Sequence, residues 1–223
     1  MPSLSAPPAV RPPLQVRSRR TLDRILAATE RLLEERSFEE IGVQQIVRGA
    51  RTSVGSFYAR FEDKSALLSA LYERYDADLD ARIALWRANR PAPEPGLVGA
   101  CAWVAGYLVD SFSGRRNLLR ALALHVRQRP EVAGGETSRR RAEQHAFLLE
   151  ALVRHRDAIR DADPEQAART AIFLAASACR ERILFDETPH ARAAKQSRGR
   201  LASDLARMMA GYLLCPELPV RSR

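Results

Sequence analysis

The apolar positions of this chain recur at intervals of three and four almost from end to end, the spacing that gathers them on one face of an α-helix. Leu22, Ile25, Leu26, Leu32 and Leu33 open the series with charges on the opposite face, and predict an amphipathic helix over 17–36. Residues 37–42 break it, and Val43, Ile46, Val47 and Ala50 restart it over only about two turns. Arg51-Thr52-Ser53 reads as a turn, with the Ser53 hydroxyl placed to cap another short helix. In that helix Phe57 and Phe61 stand one turn apart and point inward. Asp63 is placed to cap a long helix from Lys64, whose stripe of Leu67, Leu68, Leu71, Tyr75, Leu79 and Ile83 runs towards Trp86. Proline lacks the amide donor and clashes with the preceding turn, so the Pro91, Pro93 and Pro95 stretch is a short linker. Helical patterns return over 97–112, 117–127, 139–160, 165–185 and 191–214, about nine helices in all. No stretch alternates β-branched and polar residues as a half-buried strand does, so the chain reads as all-α.

Composition narrows the partners. The formal net charge of +9 favours an anionic one, nucleic acid foremost. Residues 1–16 hold five prolines and little patterned apolar content, an arm expected to stay disordered in the free protein. Cys101, Cys179 and Cys215 lie far apart in apolar runs, which suits reduced thiols in a cytoplasmic protein better than a disulfide framework or a metal site. The first residues lack a basic region followed by an apolar stretch, so neither export nor a membrane partner is expected.

Two short helices joined by a tight turn, braced by one helix before and a longer one after, are what is needed to push a small helix into a major groove. From residue 41 to residue 61 the charged side chains are Arg48, Arg51 and Arg60, with no acid, although acids are plentiful on either side. That sign bias suits a surface facing phosphates. The residues Ile46-Val47, Ala50-Arg51-Thr52-Ser53, Gly55, Tyr58-Ala59-Arg60-Phe61 and Lys64, with Arg24-Ile25-Leu26-Ala27-Ala28 upstream, resemble the DNA-binding domains of the TetR (tetracycline-repressor-like) family over roughly residues 20–70. The family pattern commonly has glycine and valine where this chain has Arg51 and Thr52, threonine where it has Gly42, and histidine where it has Arg60. A left-handed residue other than glycine costs ~1–2 kcal/mol unless local contacts offset it.

The resemblance implies an N-terminal three-helix helix-turn-helix DNA-binding domain, 17–64, and a C-terminal helical ligand-binding and dimerisation bundle, 65–223. It places Ser53, Tyr58 and Lys64 on phosphates, Val54 and Ser56 near base edges, and lets Gly55 bring the backbone close. Thr52 joins the base-edge candidates, while Gln44, Arg48, Arg51 and the arm residues Arg17, Arg19 and Arg20 are candidates for further backbone or minor-groove contacts. It also implies double-stranded DNA with a palindromic operator as partner, a homodimer through the last two helices, and an unknown small-molecule effector. Alanines at 167, 168, 171, 175, 176 and 178 permit close helix approach, and Leu201, Leu205, Met208, Met209 and Tyr212 form a stripe on the last helix. Trp103, Tyr107, His125, Phe147 and Cys179 are candidate pocket residues, and core packing explains each of them as well.

No cofactor is implied. An enzyme is not expected: Gly-x-Ser-x-Gly, phosphate-cradling glycine loops and His-Glu-x-x-His are absent, and His125, His145, His155 and His190 have no metal spacing. The expected function is a sequence-specific regulator, a repressor released from its operator by a ligand. The alternative is a DNA-organising or scaffold protein of the same fold that senses nothing.

Overall fold

The structure, a computed structural model, describes residues 16–89, 93–133, 139, 142–143 and 145–215. Among these there is no strand, and eleven α-helices follow in order: α1 (Val16–Glu35), α2 (Val43–Gly49), α3 (Val54–Tyr58), α4 (Ala66–Ala77), α5 (Leu79–Ala88), α6 (Gly96–Gly114), α7 (Arg116–Gln128), α8 (Ala146–Val153), α9 (Pro164–Cys179), α10 (Pro189–Ala193) and α11 (Arg198–Leu214). Residues 1–15, and 90–92 of the proline linker, lie outside the described residues.

The count exceeds the expected nine because periodicity runs straight through breaks made by local hydrogen bonding. The helix expected from Lys64 starts at Ala66, whose amide donates to Asp63 Oδ1 at 2.7 Å, and it ends where the Asp78 amide turns back to Arg74 O at 3.1 Å. The stretch expected over 191–214 divides because Ser197 starts afresh as an N-cap, accepting the Arg200 amide at 3.3 Å. Between 139 and 160, α8 stops at Val153 and a 3-10 turn follows at Arg156–Ala158. Helix α9 opens with Asp163 as N-cap and Pro164 in the first turn, where a missing N–H leaves nothing unsatisfied, and runs on into a π-helical turn, Arg180–Leu184.

The chain divides into two compact units, one of Met1–Leu79 with Arg115–Ser138, the other of Asp80–Gly114 with Arg139–Arg223. The division therefore falls beyond the expected boundary at residue 64, and α7 returns to the first unit. Physical closure explains this: Ile25, Ile41, Ile46, Phe57, Phe61, Leu67 and Leu71 are fully buried in a cluster completed by Leu118, Ala121 and Leu122 of α7. Asn117 Nδ2 donates to Leu33 O at 3.0 Å, satisfying a carbonyl that the end of α1 leaves unpaired. Glu30 of α1 sits 3.3 Å from the Arg74 guanidinium of α4 and 3.6 Å from that of Arg115.

In the second unit α6 packs chiefly along α11, with α8 and α9 against them. Helix α6 is long and apolar enough by composition to cross a membrane, yet Leu97, Ala100, Cys101, Val104, Ala105, Leu108 and Val109 are buried within this unit. Its hydropathy is that of a core helix.

Candidate nucleic-acid interface

Helix α2 begins at Gly42, whose amide donates to the Gln45 side-chain oxygen at 2.8 Å. A methyl group on Gly42 would make only ordinary contact, so the serine or threonine usual at such starts is replaced by an internal clasp. Helix α2 lies close on α1: a Cβ at Gly49 would stand 3.3 Å from Ala28 Cβ. It ends in a Schellman turn. Arg51 adopts φ +50°, its amide bonds to Arg48 O at 3.2 Å, and the Thr52 amide reaches back to Val47 O at 3.0 Å. The steric cost expected for arginine there is real, and an outside contact joins in offsetting it: Arg24 Nη1 donates to Arg51 O at 3.3 Å.

Ser53 then caps α3 as expected, its Oγ accepting the Ser56 amide at 3.1 Å and lying 3.0 Å from Ser56 Oγ. With Phe57 and Phe61 wholly buried, α3 is oriented by its own core: Phe57 and Phe61 pack with ring centroids 5.0 Å apart, and Tyr58 meets the Phe57 ring edge-on at 5.3 Å. What remains outside is Val54 at 40% exposure, Gly55, and Tyr58 at 53%. Gln44, Arg48, Arg51 and Ser53 are also exposed, while Thr52 and Ser56 are half-buried. Nine of the ten residues expected at a DNA surface thus stand on α2, the turn or α3.

Lys64 is the exception. Its Nζ donates to the carbonyls of Phe38 at 2.5 Å and Ile41 at 2.8 Å, lies 3.4 Å from that of Glu39, and sits 4.4 Å above the Phe38 ring. The ammonium is a clasp on the loop between α1 and α2, and partial burial pushes its pKa below the usual lysine value. Three carbonyls engage the three protons that a phosphate contact would need. Arg60 is likewise internal: Nη1 donates to Ser56 O at 2.8 Å and Nη2 to Ser18 O and Oγ at 3.3 and 2.9 Å. Spacing within the motif carries no signal of either role, because the partners lie far back in the sequence.

The five candidate pocket residues separate. Trp103, Tyr107 and Phe147 come together in the second unit, with ring centroids of Phe147 at 5.8 Å from Trp103 and 5.1 Å from Tyr107. Trp86, unforeseen as a pocket residue, joins them at 4.8 Å from Trp103 and 4.9 Å from Tyr107, and donates from Nε1 to Asp110 at 3.2 Å. His145 joins through Nε2, 3.2 Å from the Tyr107 hydroxyl. Cys179 is buried in the same unit, and burial pushes its thiol up to about 12, as it pushes Cys101 to about 11. His125 instead belongs to the first unit, buried in α7 with Nε2 3.1 Å from Ser69 Oγ of α4. Burial first, then Arg129, lowers its pKa below the usual histidine value. It is a structural histidine of the first unit.

A short polar-tipped helix held on a buried core, entered through a capped turn and flanked by arginines, defines a helix-turn-helix DNA-binding protein of wholly helical build. Residues 25–71 match the family model described as bacterial regulatory proteins, tetR family. No curated protein matches the chain. Among solved structures it is similar to a TetR-family transcriptional regulator from Pectobacterium atrosepticum (21% identity, covering 91% of this chain and 99% of that one, TM-score 0.59). A tetR-family transcriptional regulator from Streptomyces coelicolor is also similar (21%, 89% and 82%, TM-score 0.56), as is a tetR-family regulatory protein from Rhodococcus RHA1 (16%, 88% and 98%, TM-score 0.56). These likenesses are of fold. Residues 25–71 thus carry the sequence of a tetR-family regulatory-protein segment, within a chain whose fold the solved structures share.

Proposed function

We propose that the chain is a homodimeric transcriptional repressor, that α3 of each protomer enters the major groove of one half of a palindromic operator, and that a small molecule held by the second unit releases it. The observation that carries this reading is the tip of α3. A Cβ on Gly55 would find, among the described residues beyond its chain neighbours, only Ser53 Oγ, at 3.9 Å, so no packing seen there demands a glycine. A duplex pressed against that face would. On this reading Ser53 and Tyr58 hold phosphates with help from Gln44, Arg48 and Arg51, and Thr52, Val54 and Ser56 meet base edges.

Pairing of two copies is supported by the outer faces of α9 and α11. Phe173 is 64% exposed and Leu174 42%, and on α11 Met208 and Tyr212 are 39% and 41% exposed. Large apolar side chains left in water on two neighbouring helices favour a second copy, and a two-fold dimer matches two half-sites. For the effector, the ring cluster of Trp86, Trp103, Tyr107 and Phe147 supplies apolar walls with polar points at His145 and Asp110. Release requires that the ligand bind one arrangement of the protein better than another.

Selection of bound sequences from random duplexes tests the reading. The expected outcome is an inverted repeat whose half-sites lie ~34 Å apart or a multiple of it, with Tyr58→Ala losing the enrichment. Failure to enrich any sequence at moderate salt would sink it. Fractions of cellular metabolite extract are then added to the complex: one fraction should free the DNA, and retention through all of them would leave the DNA-organising alternative.

A further inference from the structure

We propose that Glu30 is a positioning residue for operator recognition. Shared between Arg74 and Arg115, its carboxylate fixes how the head is carried where the chain passes to and from the second unit, and so sets the half-site spacing that paired heads accept. This rests on the dimeric DNA-binding reading above.

The two arginines stand at those passages. The chain leaves the first unit at Leu79 and re-enters it at Arg115. Arg74 lies in the last turn of α4, little more than one turn before the exit, and Arg115 is the residue from which α7 starts. Helix α4 stops at Ala77 and α5 begins at Leu79, so the exit is also a break in the helix. Breaks of this kind, at the ends of elements, are where a chain absorbs a change of angle. Glu30 thus holds both passages to α1, at 3.3 Å from Arg74 and 3.6 Å from Arg115. Asp23, one face of α1 away by seven residues, lies 3.8 Å from Arg74, but its side chain is 61% exposed against 19% for Glu30. Solvent screens the first pair far more than the second, so Glu30 carries the hold.

The hold is incompletely closed. Glu30 Oε1 and Arg74 Nε are both shielded from solvent, and neither has a hydrogen-bond partner among the described residues. Charge faces charge there without an aligned hydrogen bond, and a buried oxygen left in that state is unfavourable. A movement of less than an ångström at the start of α7 closes a bond from Arg115 to that oxygen. The network therefore has two arrangements, one shared and one closed on a single arginine, and a bistable contact is what a small displacement needs in order to be passed on. It is passed to the reading helices through α1. Asn117, in the first turn of α7, is tied to Leu33 O of α1, and α1 carries α2 so closely that a Cβ at Gly49 would stand 3.3 Å from Ala28 Cβ. Two heads on one duplex must present α3 at one separation. Loosening each head where it joins the rest of its chain widens the separations the pair tolerates.

The test uses the full chain on the selected operator, on copies with one base pair added or removed between the half-sites, and on a duplex with a single half-site. The parent chain should bind the shifted duplexes about tenfold more weakly than the operator, and in Glu30→Gln that penalty should shrink about fivefold while single half-site affinity stays within about twofold. Arg115→Gln should shrink the penalty by a smaller factor, and the double variant no further than Glu30→Gln alone, because both substitutions remove the same contact. Thermal melts check folding, and should Glu30→Gln prove unfolded, Arg115→Gln decides. An unchanged spacing penalty overturns the inference, as does an equal loss on every duplex including the single half-site, the signature of a residue that only stabilises the head. A parent chain that selects no inverted repeat overturns the dimeric DNA reading and this inference together, whereas a selected repeat whose spacing the variants discriminate as the parent does overturns this inference alone.

Discussion

The reading head and the outer faces of α9 and α11 solve opposite surface problems. In the head every large apolar side chain of α2 and α3 except Val54 and Tyr58 is turned inward, and the tip shows small and polar groups among arginines. On α9 and α11 the sense is reversed, with Phe173 more exposed than Val54 by a wide margin and Leu174, Met208 and Tyr212 beside solvent. The first surface suits a hydrated, charged partner that must be entered and left repeatedly. The second suits a permanent apolar neighbour. What each surface exposes therefore bears on its proposed partner more directly than net charge does, which is a property of both units at once.

The largest test of that contrast is the double variant Phe173→Glu with Tyr212→Glu. Buried interfacial aromatics contribute ~2 kcal/mol or more each, so sedimentation should show monomers at micromolar concentration and operator affinity should fall at least a hundredfold, with the helical content kept. A dimer that survives places the interface elsewhere. Next comes Lys64→Met, which keeps the stem and removes a charged donor from three carbonyls. The expected loss is ~2 kcal/mol of stability in the head, read by thermal melting, while affinity measured well below the melt stays within about threefold. A large affinity loss without a stability loss would return Lys64 to the phosphates.

Smaller again is Arg51→Gly. Glycine adopts φ +50° freely, so the head should gain ~1 kcal/mol and a few degrees in melting temperature, against a modest weakening of DNA binding from the lost cation. The smallest effect is that of pH on His125. Its folded pKa lies below the unfolded value, so the unfolded chain binds the extra proton first. Stability of the head is then whole above about pH 6.5 and declines as pH falls through the depressed folded value, a decline that His125→Gln should flatten in melts compared with the parent chain.

Legibility followed the range of the interactions. The Ser53 cap, the inward Phe57 and Phe61, and the exposed Gly55 and Tyr58 depend on neighbours within one turn, so spacing reveals them. Asp63 was legible as a cap for the same reason, although its helix starts two residues later than expected. The clasps of Lys64 and Arg60 depend on carbonyls and a serine more than twenty residues away, and no local pattern carries them. The break at Asp78 escaped because the apolar stripe continues on either side of it. Trp103, Tyr107 and Phe147 were legible as bulky residues on helices, but their meeting with Trp86, and the placement of His125 with Ser69, are decided by packing between helices.

The return of α7 to the first unit makes the head inseparable from a helix that follows it much later in the chain. A peptide ending anywhere before Arg115 would carry all of α2 and α3 yet leave Leu33 O without the Asn117 amide and the buried cluster open where Leu118 and Leu122 belong. Grafting this head onto a foreign body is therefore a matter of transplanting two separate pieces of polypeptide. A single cut in α6, made by a protease, should loosen the first unit even though α6 lies outside it.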